Sequence, residues 1–165
     1  MRCMQMNAED IMIHSVITVT DTENVETVLR KFVEYRISGV PIVVQDNKIV
    51  GYISDGDVMR AFAQQYHGFH GFDSGFYMFP FLEAIGEDDS FATKFHEFCQ
   101  RRALDAGVRR VICVQADEPL EQVARILSQR KIKKVPVIKE GRLIGIISRG
   151  DVIHKVVSKY LMSNR

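Results

Sequence analysis

The sequence predicts an α/β (α+β) protein made of two copies of one β-α-β-β-α unit, packed sheet to sheet around a shared core, with an aromatic-rich helical insertion between them. Three observations predict it. The octapeptide GYISDGDV at 51–58 returns as GIISRGDV at 145–152. Residues 16–44 align with 111–139 at an offset of 95, and 47–58 align with 141–152 at an offset of 94, with 16 identities in 41 pairs. Apolar periodicity also changes from strand-like to helix-like in the same order in both copies. A unit of about 50 residues is too small to be stable alone, so the two copies are expected to bury one core together.

Each copy opens on a β-rich run, VITV at 16–19 and VICV at 111–114. A helix follows. In the first copy Val25, Val28, Leu29, Phe32 and Val33 recur at i, i+3, i+4, i+7 and i+8, which lays one apolar stripe along a helix. In the second copy Leu120, Val123, Ala124 and Leu127 do the same, and Pro119 suits the first helical position. VPIVV at 40–44 and VPVI at 135–138 read as a strand, and KIVGYIS and RLIGIIS as its hairpin partner. The one-residue gap falls in the polar turn between them, Gln45-Asp46-Asn47 against Glu140-Gly141, where a length change is best tolerated. A final helix is expected near Gly56 and Gly150.

The copies are separated by residues 63–104. The run YHGFHGFDSGFYMFPF at 66–81 carries 7 of the 15 aromatic residues, unlike a polar linker. It is expected to be buried or to form a dimer contact rather than to act as a ligand lid. His67, His70 and Asp73 lie there in a glycine-rich setting without metal-site spacing, and no metal is expected. The stretch 88–104 predicts a helix with Phe91, Phe95, Phe98 and Cys99 on one face, begun by Asp88, Asp89 and Ser90.

Bulk properties exclude several classes. A formal net charge of +1 gives no electrostatic argument for a nucleic acid or a membrane surface. The longest apolar stretch, Phe76 to Leu82, is too short to span a bilayer and contains Pro80, and the start MRCMQMNAED has no hydrophobic signal core. Cys3, Cys99 and Cys113 form no zinc or redox spacing, which predicts a reducing, cytoplasmic compartment. No phosphate-binding Gly-rich loop, nucleophile elbow or HExxH motif is present, and none of the five histidines stands in a recognisable relation to a nucleophile. An enzyme is therefore not expected.

The octapeptide has two readings. Ser54 with Asp57, and Ser148 with Asp151, fit a capping box, in which the Ser accepts a first-turn N–H and the acid three residues on reaches back. Gly51 and Gly145 would then only allow close strand packing. The same geometry also suits a ligand. A helix N-terminus offers free N–H groups and a positive dipole end, and an acceptor-only Asp takes ribose hydroxyl protons.

The order of elements, the IxxVP before the central strand, and GxxSxGDV at the last helix resemble the cystathionine-β-synthase (CBS) domain. Two copies resemble a CBS pair, or Bateman module, with pseudo-two-fold symmetry, over 8–62 and 105–162. The resemblance implies a regulatory site for an adenosine-containing ligand (AMP, ADP, ATP or S-adenosylmethionine) at the cleft between the repeats. It implies that Asp57 and Asp151 bind ribose hydroxyls, and that Ser54 and Ser148 contact ribose or phosphate. Ile37, Ser38 and Gly39, and Ile132, Lys133 and Lys134, with Thr18 and Cys113 from the first strands, would form the base pockets. The isoleucines serve equally as core residues.

The expected protein is a non-enzymatic sensor that forms a homodimer and alters an unidentified partner protein in trans. The alternative is a ligand-free dimerisation or scaffold module. The sites are expected to be unequal. Asp55 stands opposite Arg149, so the Asp151 site should favour phosphates.

Overall fold

The structure, a computed structural model, describes residues 6–67 and 90–163, with the side chains of 66, 67, 90 and 163 left aside. The chain divides into two compact units. One comprises Ile17–Val44 and Ile49–Val111 and carries the first repeat. The other comprises Met1–Val16, Gln45–Lys48 and Ile112–Arg165 and carries the second.

In the first-repeat unit, β1 (Val19–Thr20) pairs in parallel with β2 (Gly39–Val44), with Val19 opposite Ile42. The first strand is two residues long rather than the four expected. The Thr18 carbonyl accepts from Lys31 Nζ at 2.7 Å. Between these strands runs α1 (Val25–Tyr35). Asn24 caps it by accepting from Thr27 N at 3.0 Å. Val25 and Val28 are fully buried, whereas Val33 is 81% exposed, so the apolar stripe ends one position earlier than its period suggests. The helix closes at Arg36 in the left-handed region (φ 51°), and Lys131, its counterpart in the second repeat, has φ 53°.

The strand β3 (Lys48–Ser54) follows β2 and leads directly into α2 (Asp55–His67). Further along, α3 (Ser90–Cys99) lies against α2. The rings of Phe91, Phe95 and Phe98 stand edge-on to Phe62 at centroid distances of 5.7, 5.6 and 5.3 Å. The helix stops at Cys99, short of the expected residue 104, and the one-turn α4 (Ala103–Ala106) follows. Val108 then bridges Tyr52 of β3 through two backbone bonds of 2.9 and 2.8 Å.

The second-repeat unit follows the same plan. The strand β4 (Val114–Gln115) pairs in parallel with β5 (Lys134–Lys139), and α5 (Leu120–Gln129) lies between them in sequence. Leu120, Val123 and Leu127 are buried, as the period requires. Pro119 sits at the N-cap with ψ 141°, one place before the first helical position. β5 and β6 (Arg142–Ser148) form an antiparallel hairpin. Both of its turn residues, Glu140 (φ 51°) and Gly141 (φ 76°), have positive φ, as a two-residue turn between right-twisted strands demands. The first repeat uses the longer Gln45–Asn47 turn, which is where the alignment gap falls. The last helix is α6 (Arg149–Ser163).

Residues 6–13 complete this unit. Ala8 N donates to the Glu118 carbonyl at 2.9 Å, and Ile13 bridges Ile146 by bonds of 2.9 and 3.0 Å. Ala8 and Ala103, 95 positions apart, are both fully buried, so the repeat begins well before the aligned region. Met12 packs over Gly145 and Leu104 over Gly51, so both strand glycines are needed for close packing. The aromatic run from residue 68 to 81, including His70 and Asp73, and the capping residues Asp88 and Asp89 lie outside the described residues.

Candidate functional site

The octapeptide forms the same structure twice. A strand ends at Ser54 or Ser148, and a helix begins at the next residue. Both capping boxes are made. Asp57 Oδ2 accepts from Ser54 N at 2.9 Å and from Ser54 Oγ at 2.6 Å, while Ser54 Oγ lies 3.3 Å from Asp57 N. The corresponding distances between Ser148 and Asp151 are 2.7, 2.6 and 3.2 Å. Each carboxylate thereby commits one oxygen to the local fold.

The second oxygen separates the repeats. Asp57 Oδ1 pairs with Arg60 NH1 at 2.8 Å, and Asp57 is 8% exposed. In the second repeat His154 stands at the position of Arg60. Asp151 Oδ1 has no hydrogen-bond or ion-pair partner among the described residues, and the residue is half-buried. The turn residues differ too. Asp55 folds back so that its Oδ1 takes the Gly56 N–H at 2.7 Å, covering a donor at the helix N-terminus. Arg149 instead turns its Nε toward the Ile132 carbonyl at 2.9 Å, and its side chain is exposed.

The segment before each proline is tied to the helix start. Asp55 N donates to the Ser38 carbonyl at 2.9 Å, and Arg149 N to the Lys133 carbonyl at 3.1 Å. Ser38 and Gly39, and Lys133 and Lys134, are thus gathered beside Ser54 and Ser148. Ile37 and Ile132 are half-buried and pack against the cores of their units, which is the bland role foreseen for them. Thr18 is joined to its unit through the Lys31 bond to its carbonyl. Cys113 is half-buried in the second-repeat unit, and burial pushes its thiol pKa up.

Three residues missed in the sequence shape the first repeat's site. Tyr52 lies on Gly39, where an added Cβ would meet its Oη at 2.8 Å and Cε1 at 2.9 Å. Burial first, then the charges of Asp57 and Asp55, push the Tyr52 pKa up to about 12. Arg60 takes Asp57. Arg101 joins Asp57, Arg60 and Asp105 in lining a cavity of about 410 Å³ that extends to Gly107, and donates to Gln65 Oε1 at 2.8 Å. The available signal was departure from the repeat: Tyr52 aligns with Ile146, and Arg60 with His154. Among the described residues, no cluster of three or more His, Cys, Asp or Glu could hold a metal, and no helix is long and apolar enough to cross a membrane.

Comparison with known proteins identifies the family and the fold. The family model described as CBS domain matches residues 8–64 and 105–158. The uncharacterised protein MJ1426 of Methanocaldococcus jannaschii is 31% identical over 160 residues, covering 92% of each chain. The chain spans 44% and 56% of the length of two further curated relatives. The crystal structure of Arabidopsis thaliana CBSX2 in complex with AMP superposes with a TM-score of 0.68 at 21% identity, covering 93% of this chain and 98% of that one. The CBS domain pair of MJ0100, in complex with 5′-methylthioadenosine and S-adenosyl-L-methionine, gives 0.67 at 22% identity and covers 94% of this chain and 98% of that one.

Proposed function

The chain belongs to the CBS domain family, in two copies, and on that premise we propose that it is a non-enzymatic regulatory module whose Asp151 site takes the ribose of an adenosine-containing ligand. The observation that carries the reading is the free oxygen. Asp151 holds its own helix cap through Oδ2 and keeps Oδ1 for a ligand hydroxyl, whereas Asp57 has both oxygens engaged. Arg149, held by its Nε edge, keeps its terminal nitrogens for a phosphate placed at the α6 N-terminus. AMP, ADP or ATP suit that charge best. S-adenosyl-L-methionine, less anionic, suits the Asp55-bearing repeat better, because Asp55 occupies the helix end there.

Two relatives by fold are described with adenosyl ligands, which supports this ligand class. The module is proposed to work in the cytoplasm as a homodimer and to act on a partner protein in trans. Calorimetric titration with AMP, ADP, ATP and S-adenosyl-L-methionine tests the ligand reading. Saturable binding of an adenine nucleotide, with no product formed from ATP on incubation, is expected. Failure of all four ligands to bind returns the octapeptides to capping boxes alone.

A further inference from the structure

The residue three places after each octapeptide acid differs between the repeats, Arg60 after Asp57 and His154 after Asp151. Residues i and i+3 share one face of a helix, so each can turn back toward its acid. Arg60 does so. Its NH1 donates to Asp57 Oδ1 at 2.8 Å, with the Asp57 side chain 10% exposed and that of Arg60 39% exposed. His154 is exposed, and among the described residues it makes no hydrogen bond or ion pair with Asp151. The difference suits the two side chains. A guanidinium is permanently charged and offers five donors on a long stem, whereas an imidazole is shorter and carries no fixed charge.

We propose that this position gates the ribose acid of its own repeat. Arg60 stands in for a ligand hydroxyl at Asp57 Oδ1 and keeps the first-repeat site closed, whereas His154 leaves Asp151 open. The inference rests on the ribose reading of the octapeptide acids and adds to it a residue that contacts the acid rather than the ligand. An oxygen held by its own chain must be released before a ligand hydroxyl can donate to it, so apparent affinity falls with the fraction of time the oxygen is free. The released side chain has a place to go. Arg60 lines the cavity of about 410 Å³ that Gln64 and Asp105 line as well, and both of these can accept from a guanidinium. Arg60 is therefore a positioning residue with two positions, on Asp57 when the site is empty and turned into the cavity when it is filled. An ion pair with one partner more than a third exposed is modest, so the gate should lower affinity by roughly three- to tenfold rather than abolish binding.

Calorimetric titration of the full-length chain with adenosine tests the gate. Adenosine has the ribose and no phosphate, so Asp55 and Arg149 do not decide the outcome. Asp151→Ala leaves the first-repeat site to be read alone. Adding Arg60→His to that variant should tighten adenosine roughly three- to tenfold, and adding Asp57→Ala as well should remove the gain. Arg60→Met should act like Arg60→His, which guards against a folding defect in either one. In the otherwise unaltered chain His154→Arg should weaken adenosine by a similar factor. A gain of affinity is not what a merely structural role for Arg60 would give. Unchanged affinity in the folded Arg60 variants or in folded His154→Arg overturns the gate, and if the unaltered chain still binds adenosine the Asp151 reading stands. Binding that appears only when Arg60 is replaced, and that needs Asp57, supports the gate and overturns the Asp151 reading. Binding by none of the chains overturns both.

Discussion

Replacing Asp151 by Ala tests its capping role and its proposed ligand role by separate readouts, because each is assigned to a different oxygen. Oδ2 closes the capping box with Ser148 at 2.7 and 2.6 Å. Its loss should cost about 0.5–2 kcal/mol of stability, the range for a helix cap. Oδ1 is the oxygen proposed above for the ligand. A hydrogen bond to a charged acceptor contributes about 1.5–3 kcal/mol, which converts to a loss of affinity of roughly tenfold to more than a hundredfold. Asp57→Ala supplies the contrast. It removes an equivalent cap and in addition leaves Arg60 without the carboxylate it pairs with at 2.8 Å. It should therefore destabilise more than Asp151→Ala while costing less nucleotide affinity. The assays are urea unfolding for stability and calorimetry with AMP for affinity, both on variants shown to be folded. Unchanged affinity in folded Asp151→Ala, or an equal loss in Asp57→Ala, would refute the assignment of the free oxygen.

Three further outcomes follow from packing and charge. Tyr52 should ionise near 12 rather than 10, as read by ultraviolet difference absorbance. Because its folded pKa is raised, the unfolded chain ionises first, so stability should fall as pH rises from about 10 to about 12, and Tyr52→Phe should remove that part of the loss. Gly51→Ala would bring a Cβ to 2.7 Å from Leu104 Cδ1 and 3.1 Å from the Val108 carbonyl, and should destabilise by about 1–3 kcal/mol on thermal unfolding. Phe98→Ala empties a fully buried position in the α2–α3 aromatic cluster and should cost about 3–5 kcal/mol, measured by the urea midpoint at constant slope.

Most of the fold was legible because the chain states its pattern twice. The bounds of β3 and β6 match the quoted runs KIVGYIS and RLIGIIS, and the turn lengths follow the alignment gap. The same duplication marked Ser54, Asp57, Ser148 and Asp151 as a constructed feature, and the structure makes that feature identically in both places. The resemblance reached back to residues 8 and 105, but no element was read in the segments before the first strands. Residues 8–13 and 103–108 share little beyond Ala8 with Ala103 and Asp10 with Asp105, and what matches between them is backbone bridging to Ile146 and Tyr52, which side-chain patterns do not record. Strand length was overread in both copies, since the runs from Val16 and Val111 enter the ladder only at Val19–Thr20 and Val114–Gln115. The readings that depended on difference rather than repetition were the weakest. Arg149, read as favouring phosphates, has its Nε on the Ile132 carbonyl, and Arg60 and Tyr52 went unnoticed although neither matches its counterpart.

The bond from Ala8 to the Glu118 carbonyl, and the ladder between Ile13 and Ile146, have a consequence for synthesis. During translation the segment at 8–13 emerges more than a hundred residues before its hydrogen-bonding partners Glu118 and Ile146. Until then Ala8 and Met12 have nowhere in their own unit to be buried. Met12 can cover Gly145 only after Gly145 itself has left the ribosome. The first-repeat unit, by contrast, has all of its parts once Val111 is made. Order of emergence and order of assembly therefore run in opposite directions for the N-terminal segment, which must wait as exposed chain for a late and entropically long closure.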